Sequence, residues 1–248
     1  MKRDNTLKEE TLKLDNGKIM VASDIHFPYE DKSAVTAFMK EVGLRKPDVI
    51  VLNGDLLDFY KLSKFSKDPT GKNPEEEIEM CKTFLKKLRK EAGKDCKIYY
   101  TIGNHSARLR KYILDNAPMV AGLMENVFSL LKLEESNTIG CASLLVNDCF
   151  LFKHGSKLGN KSGLSAIKEL EAHYLSGASG HTHRLNRYSV RKAGRRFIWL
   201  ETGCLCDLNP EYMIDPDWEQ GFGIITFEKG KLKNAQVYPI VKGQVLYD

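Results

Sequence analysis

Long apolar runs are missing from this chain of 248 residues. No window approaches the ~18 consecutive apolar residues of a membrane-spanning helix. The opening stretch, MKRDNTLKEETLKLDNGK, also lacks the apolar core of a secretory signal. A cytoplasmic protein with no membrane partner is the expectation. Cysteine is sparse: the six residues Cys81, Cys96, Cys141, Cys149, Cys204 and Cys206 form no CxxC pair. A chain this long folds without disulfide staples, so these thiols are expected to be reduced. The CxC at 204–206 reads as two alternating side chains of a strand rather than as a soft-metal pair. A charge of one dominant sign is absent too. Lys plus Arg number 38 and Asp plus Glu 33, giving +5, too mild a bias to mark a nucleic-acid binder. Linkers rich in Pro, Gly or Ser, internal repeats and low-complexity blocks are all lacking, so residues 1–248 are expected to form a single domain. No GxSxG motif is present, which removes the nucleophile-elbow hydrolases.

A hydrophobic share of 42% excludes wholesale disorder. Short apolar runs at 18–22, 48–52, 97–102, 149–152 and 174–178 read as buried strands. Amphipathic segments at 31–45, 74–92, 106–133 (broken near Pro118) and 163–173 lie between them. This alternation predicts an α/β fold. Pro74 opens a segment with acidic residues in its first turn and basic ones in its last, as the helix dipole favours. Beyond residue 180, strand-like runs at 188–190, 196–200, 222–227 and 236–241, parted by KAGR and EKGK, predict an antiparallel extension. The polar, lysine-rich stretch 59–73 reads as a solvated loop.

Six histidines are present, and five of them fall just past a predicted strand, among Asp, Asn and Gly. The first run leads into Asp24 and His26, and the second into Asp55 and Asp58. The third leads into Asn104 and His105, the fourth into His154, and the fifth into His181 and His183. Ligands of open α/β sheets bind beyond the carboxyl ends of the strands, so these residues can converge although distant in sequence. Imidazole, carboxylate and an Asn carbonyl together suit Mn, Fe or Zn rather than a thiolate-only site. Asp24, His26, Asp55, Asn104, His154, His181 and His183 are too many for one ion. With one shared carboxylate they fill four positions on each of two ions, the pattern of a two-metal site. His173, inside a helical segment, reads as structural.

These blocks, DIH at 24–26, GDLLD at 54–58, GNH at 103–105, His154-Gly155 and GHTH at 180–183, resemble the ordered signature of the calcineurin-like metallophosphoesterase superfamily. TGC at 202–204 stands where that family often has a Gly-Ser turn. The resemblance implies a four-layer α/β/β/α sandwich with a dinuclear metal site at the C-terminal ends of the strands. One ion would take Asp24, His26, Asp55 and His183, and the other Asp55, Asn104, His154 and His181. Two divalent ions are implied, Mn favoured, with Fe, Zn or Ni as alternatives. His105 is similar to the family residue that stabilises phosphoryl oxygens or protonates the leaving group, and Asp58 to the carboxylate that orients it. Phe59 stands where the protein serine/threonine phosphatases carry Arg, and Ser106 where an acidic residue often follows, which disfavours that branch. Arg108 reads as a phosphate contact or as an exposed helix residue.

The activity implied is hydrolysis of phosphate diesters or monoesters by metal-activated hydroxide, with a small nucleotide-like substrate favoured. A DNA or RNA nuclease and a catalytically silent metal-binding scaffold are the alternatives. No protein partner is expected. The basic run Arg184, Arg187, Arg191, Lys192, Arg195 and Arg196 reads as a solvated hairpin face or as a track for a polyanion. Phe59 and Tyr60 read as rings packed under a loop or stacked on a base. The acidic, aromatic stretch 207–220 is expected over or beside the site.

Overall fold

The computed structural model describes residues 7–63, 71–123, 125–210 and 215–247. In chain order, β1 (Glu9–Leu12) and β2 (Gly17–Ala22) precede α1 (Lys32–Arg45), β3 (Val49–Asn53), α2 (Pro74–Ala92) and β4 (Lys97–Thr101). Next come α3 (Ser106–Asn116), a 3-10 turn (Pro118–Leu123) and the short α4 (Val127–Leu130). β5 (Thr138–Cys141), β6 (Ser143–Val146), β7 (Phe150–Phe152), α5 (Leu164–His173) and β8 (Ser176–Ser179) follow. The chain closes with β9 (Leu185–Lys192), β10 (Arg195–Thr202), β11 (Gly221–Glu228), β12 (Lys231–Val241) and β13 (Gln244–Val245).

The strands form two sheets. One has seven strands in the order β13-β12-β11-β2-β3-β4-β5, and the other six in the order β1-β6-β7-β8-β10-β9. β2 to β5 pair in parallel, as do β7, β8 and β10. Strands buried on both faces explain the continuous apolar runs in the sequence. On β2, Ile19 and Val21 face the other sheet, where they meet Phe150, Phe152, Ala178 and Leu200. Met20 and Ala22, one residue out of phase, face α1 and α2 through Phe38, Val42, Phe84 and Leu88. On the far side of the six-stranded sheet, Ala166 and Leu170 of α5 cover Trp199. Helix, sheet, sheet and helix therefore stack in four layers.

Local chemistry sets the helix starts. The Asn73 side chain accepts from Glu76 N at 2.9 Å, and the Glu76 side chain accepts from Asn73 N at 2.8 Å, a reciprocal cap with Pro74 at the first helical position. Asp31 caps α1 by accepting from the backbone of Ser33 and Ala34.

Three sequence expectations change. The run 106–133 breaks at Pro118, which has no N–H to continue the ladder, as expected, but a 3-10 turn and a four-residue α4 follow α3 rather than a second full helix. The strands after residue 180 do not form one extension. β10 pairs with β8 in parallel and carries β9 antiparallel at the edge, whereas β11 crosses to the other sheet and pairs with β2. β1, β5 and β6 escape the sequence reading, being only four residues each. The reading of 59–73 as a loop falls partly outside the described residues. Among those described, no helix is long and apolar enough to cross a membrane.

Candidate metal centre

The parallel strands of both sheets end at one edge, and the turns that follow β2, β3, β4, β7 and β8 interlock there. Asp24 N donates to Gly54 O at 3.2 Å, His26 N to Asp55 O at 3.0 Å, and Gly180 N to His154 O at 2.9 Å. Asp24, His26, Asp55, His181 and His183 all have left-handed backbone, with φ between 47° and 70°. Asp and His tolerate this region better than most residues, but it is still strained. Close approach explains two glycines. A Cβ on Gly103 would fall on the Asp55 carboxylate and backbone nitrogen, and one on Gly180 on the Asp24 carboxylate. These two glycines thus make room for the carboxylate of another block.

Asp24, His26 and His183 offer ligand atoms within 4.8 Å of one another, as do Asp55, His154 and His181. Asp55 also groups with His26 and His105, which puts it between the two sets. Asp24 Oδ1 is buried and has no hydrogen-bond partner. Around it stand three imidazole nitrogens: His183 Nε2 at 3.3 Å, His26 Nε2 at 3.6 Å and His154 Nε2 at 3.9 Å. Bonds of about 2.0–2.2 Å to one ion place neighbouring donors about 3.0–3.5 Å apart; the Asp24–His183 separation lies in that range and the Asp24–His26 separation just outside it. Asn104 Oδ1 lies 2.9 Å from His154 Nε2, which is itself 3.0 Å from Asp55 Oδ2. All seven residues singled out as ligands therefore converge.

Hydrogen bonds aim these side chains from behind. His154 Nδ1 donates to Asn53 O at 2.9 Å, which leaves Nε2 facing the carboxylates. Asp24 Oδ2 accepts from His181 N, and Asp55 Oδ1 from His105 N, each at 2.9 Å. Asp58 does more than expected. Its Oδ2 lies 3.0 Å from His26 Nδ1 and 3.3 Å from His105 Nδ1, and its Oδ1 accepts from Arg108 Nη1 at 3.1 Å. Arg108 is not the exposed helix residue of one sequence reading. It also bonds Asp58 O, and its Nη2 lies 2.8 Å from His105 Nε2.

The charges are strongly coupled. Burial opposes ionisation of Asp24 and Asp55, yet the surrounding imidazoles, His154 foremost, hold both carboxyls well below the usual range. Asp58 is likewise held low against burial by His105 and His26. Burial alone would lower the histidines, but the neighbouring carboxylates of Asp24 and Asp58 raise His26 to about 10. The charges of Asp55 and Asp24 raise His154 to about 9. His181 and His183 are lowered by burial. The cluster holds protons where a cation would replace them.

The rim differs from several expectations. Phe59 is fully buried in the helix-side core, so its ring has no face for a base. Tyr60 is half-buried and meets Tyr29 edge-on at 6.1 Å. Of the stretch 207–220, residues 211–214 lie outside the described residues, while Trp218 packs on His183 with ring centroids 4.1 Å apart. Arg184 bonds Asp217 at 2.7 Å and Gly159 O at 2.9 Å, tying that segment down. Arg187 donates to Ala235 O, and Arg191, Lys192, Arg195 and Arg196 are exposed at the turn of the β9–β10 hairpin. That turn lies about 30 Å along the strand from His183. The basic run therefore does not line the centre. His173 stacks on Trp199 and pairs with Glu169 Oε2 at 3.2 Å, remote from the cluster. The CxC reads in the sequence as two strand side chains rather than a metal pair, and nothing there points to its neighbour: Cys206 Sγ lies 3.7 Å from His183 Nδ1.

A two-sheet sandwich with carboxylate–imidazole clusters at the strand ends defines a metal-binding α/β protein. The chain belongs to the calcineurin-like phosphoesterase family, which it matches over residues 17–202, three quarters of its length. It is 27% identical to the Gene 54 protein of Mycobacterium phage D29, over 93% of this chain and 96% of that protein. Among solved structures it is similar to Vps29 of Cryptosporidium parvum (TM-score 0.52, 18% identity, 94% of this chain and 96% of that one). It is also similar to Vps29 of Entamoeba histolytica complexed with Zn²⁺ (TM-score 0.51, 13% identity, 92% and 96%). These two likenesses concern the fold alone.

Proposed function

We propose that this protein is a two-metal phosphoesterase acting on small phosphate diesters or monoesters. The observation that carries the reading is the buried, unpartnered Asp24 Oδ1 ringed by the Nε2 atoms of His26, His154 and His183. Asp24, His26, Asp55 and His183 would hold one ion, and Asp55, Asn104, His154 and His181 the other, with Asp55 shared. The donor set of oxygen and imidazole nitrogen admits Mn, Fe, Zn or Ni, and the resemblance to the family favours Mn. That a solved relative in fold is complexed with Zn²⁺ supports the metal-binding part of the reading. Such ions supply Lewis acidity to phosphoryl oxygens and lower the pKa of bound water.

The chain's own residues supply the rest. His105 sits beside Asp55 with Nδ1 donating to Asp58 O, and its Nε2, which accepts from Arg108 Nη2 in this structure, would give a proton to the departing oxygen once the ring is cationic and Arg108 turns to the phosphate. Arg108, fixed by Asp58, presents a guanidinium at the same place, where it contacts a phosphoryl oxygen. Asp58 joins the two halves, since it orients both His26 and the His105–Arg108 pair. The position of the basic hairpin, well away from this opening, supports a small substrate over a long polyanion.

The test is a substrate screen with Mn²⁺ against a chelated control, using bis-p-nitrophenyl phosphate, p-nitrophenyl phosphate, cyclic nucleotides and labelled single- and double-stranded DNA. Metal-dependent turnover of the small esters is expected. Cleavage confined to DNA would replace the reading with a nuclease, and metal binding without turnover on any ester would replace it with a scaffold.

A further inference from the structure

We propose that His183 Nδ1, Cys204 Sγ and Cys206 Sγ form a second site, adjoining the first through His183, for one thiophilic divalent cation of the zinc class. The three side chains offer one ligand atom each, all within 4.8 Å of one another, and all three are buried. Cys204 bridges to Gln220 and Cys206 to Glu30, and the bend at Leu205 between these two bridges leaves both sulfurs beside His183. Leu205 between them points the other way, into the helix-side core.

The spacing is that of a coordination polyhedron. Zn–S bonds of about 2.3 Å and Zn–N bonds of about 2.0–2.1 Å at a tetrahedral angle put S and N about 3.6 Å apart. Cys206 Sγ lies 3.7 Å from His183 Nδ1. Three protein ligands leave a fourth position for water, as in open zinc sites. Charge balances as well. The ion displaces one proton from each thiol to solvent, and a dication with two thiolates and a neutral imidazole carries no net charge into a buried place. Among the described residues no other cysteine takes part in a three-ligand group.

The site shares His183 with the phosphoesterase centre, and here the inference rests on that reading. A neutral imidazole has one bare nitrogen. A cation on Nδ1 leaves the ring proton on Nε2, the atom that faces Asp24 and His26. Filling the thiolate site therefore withdraws His183 from the other centre, and thiophilic ions antagonise Mn²⁺-supported turnover.

The experiment reads absorption rather than turnover. Full-length protein, stripped with a chelator and kept reduced, is titrated to saturation with Co²⁺ and separately with Cd²⁺, following thiolate-to-metal charge transfer in the near ultraviolet. A band reaching one ion per chain is expected, retained in Asp55→Asn and lost in Cys204→Ser/Cys206→Ser. Absence of the band in wild-type protein at saturation overturns the proposal without recourse to any variant. So does a band of unchanged strength in the double variant or, should that variant not fold, in Cys204→Ala alone. A band in protein that hydrolyses no ester keeps this site and rejects the phosphoesterase reading, so the two fail separately.

Discussion

His26 Nδ1 lies 3.0 Å from Asp58 Oδ2, and this contact links the ligand cluster to the residues on its open side. Asp58 pins the ring so that Nε2 faces Asp24 and His183, while the same carboxylate holds Arg108 and lies beside His105. In Asp58→Asn the charge that fixes these three partners is gone. Metal affinity and turnover should both fall, each by about 10–100-fold, the usual effect of removing a group that orients a ligand. Metal titration beside steady-state kinetics measures the pair, and loss of turnover with unaltered metal affinity would contradict the link.

His105→Ala separates the two functions. His105 Nε2 lies 3.8 Å from Asp55 Oδ2, but the assigned ligand set does not include it. Turnover should drop by about 100–10,000-fold, the range for loss of a general acid, with metal content unchanged by elemental analysis. Near-normal rate would remove His105 from the mechanism.

Protons and cations compete for the same nitrogens. His26 and His154 have pKa values raised to about 10 and about 9 in the folded, metal-free protein, above the ordinary histidine value. Their protonated forms thus stabilise the metal-free fold below the unfolded pKa, and that contribution is lost as pH rises through about 9 and 10. Coordination needs bare nitrogen, so cation binding strengthens over the same interval. The gap in Tm between Mn²⁺-loaded and chelated protein should widen from about pH 6 to about pH 9. Calorimetry in buffers of different ionisation enthalpy should show proton release on metal uptake at neutral pH. A gap that narrows with pH would refute the assignment.

Gly103→Ala tests the close approach of the blocks. The added Cβ meets both the Asp55 carboxylate and its backbone nitrogen, and the backbone cannot swing aside. A destabilisation of about 1–3 kcal/mol is expected, as for other overpacked sites, together with loss of bound metal. Gly122→Ala is the control, because a Cβ there meets nothing within 4 Å and Gly122 has no positive φ. Thermal melts and metal analysis of the two variants give the comparison.

The site was more legible in the sequence than the wiring around it. Five apolar runs each end in residues of metal-ligand type, and since parallel strands end at one edge, order along the chain was enough to assemble Asp24 through His183. Asp58 reaching back to His26 was not legible, because a turn's side-chain direction depends on the left-handed backbone of neighbours such as Phe59. Nor was the place of Arg191 and Arg196. Strand alternation gives the face of a residue, but the hairpin's direction away from the site decides its distance. β1 and β6 were invisible because four residues carry too little periodicity, and they are strands only through pairing with each other and β7. Cys206 is a case where the pattern was seen but its neighbour was not.

The left-handed conformations at Asp24, His26, Asp55, His181 and His183 set selection for durability against selection for chemistry. Glycine relaxes such a position by roughly 1 kcal/mol, and every one of the five relaxed this way deletes a ligand. A library of this chain screened for heat resistance without metal should accordingly enrich glycine at these positions and drift toward a sturdier sandwich with nothing at its edge. Screened in the presence of the ion, the same library should keep all five, because the cation then contributes more to the folded state than the backbone gives up.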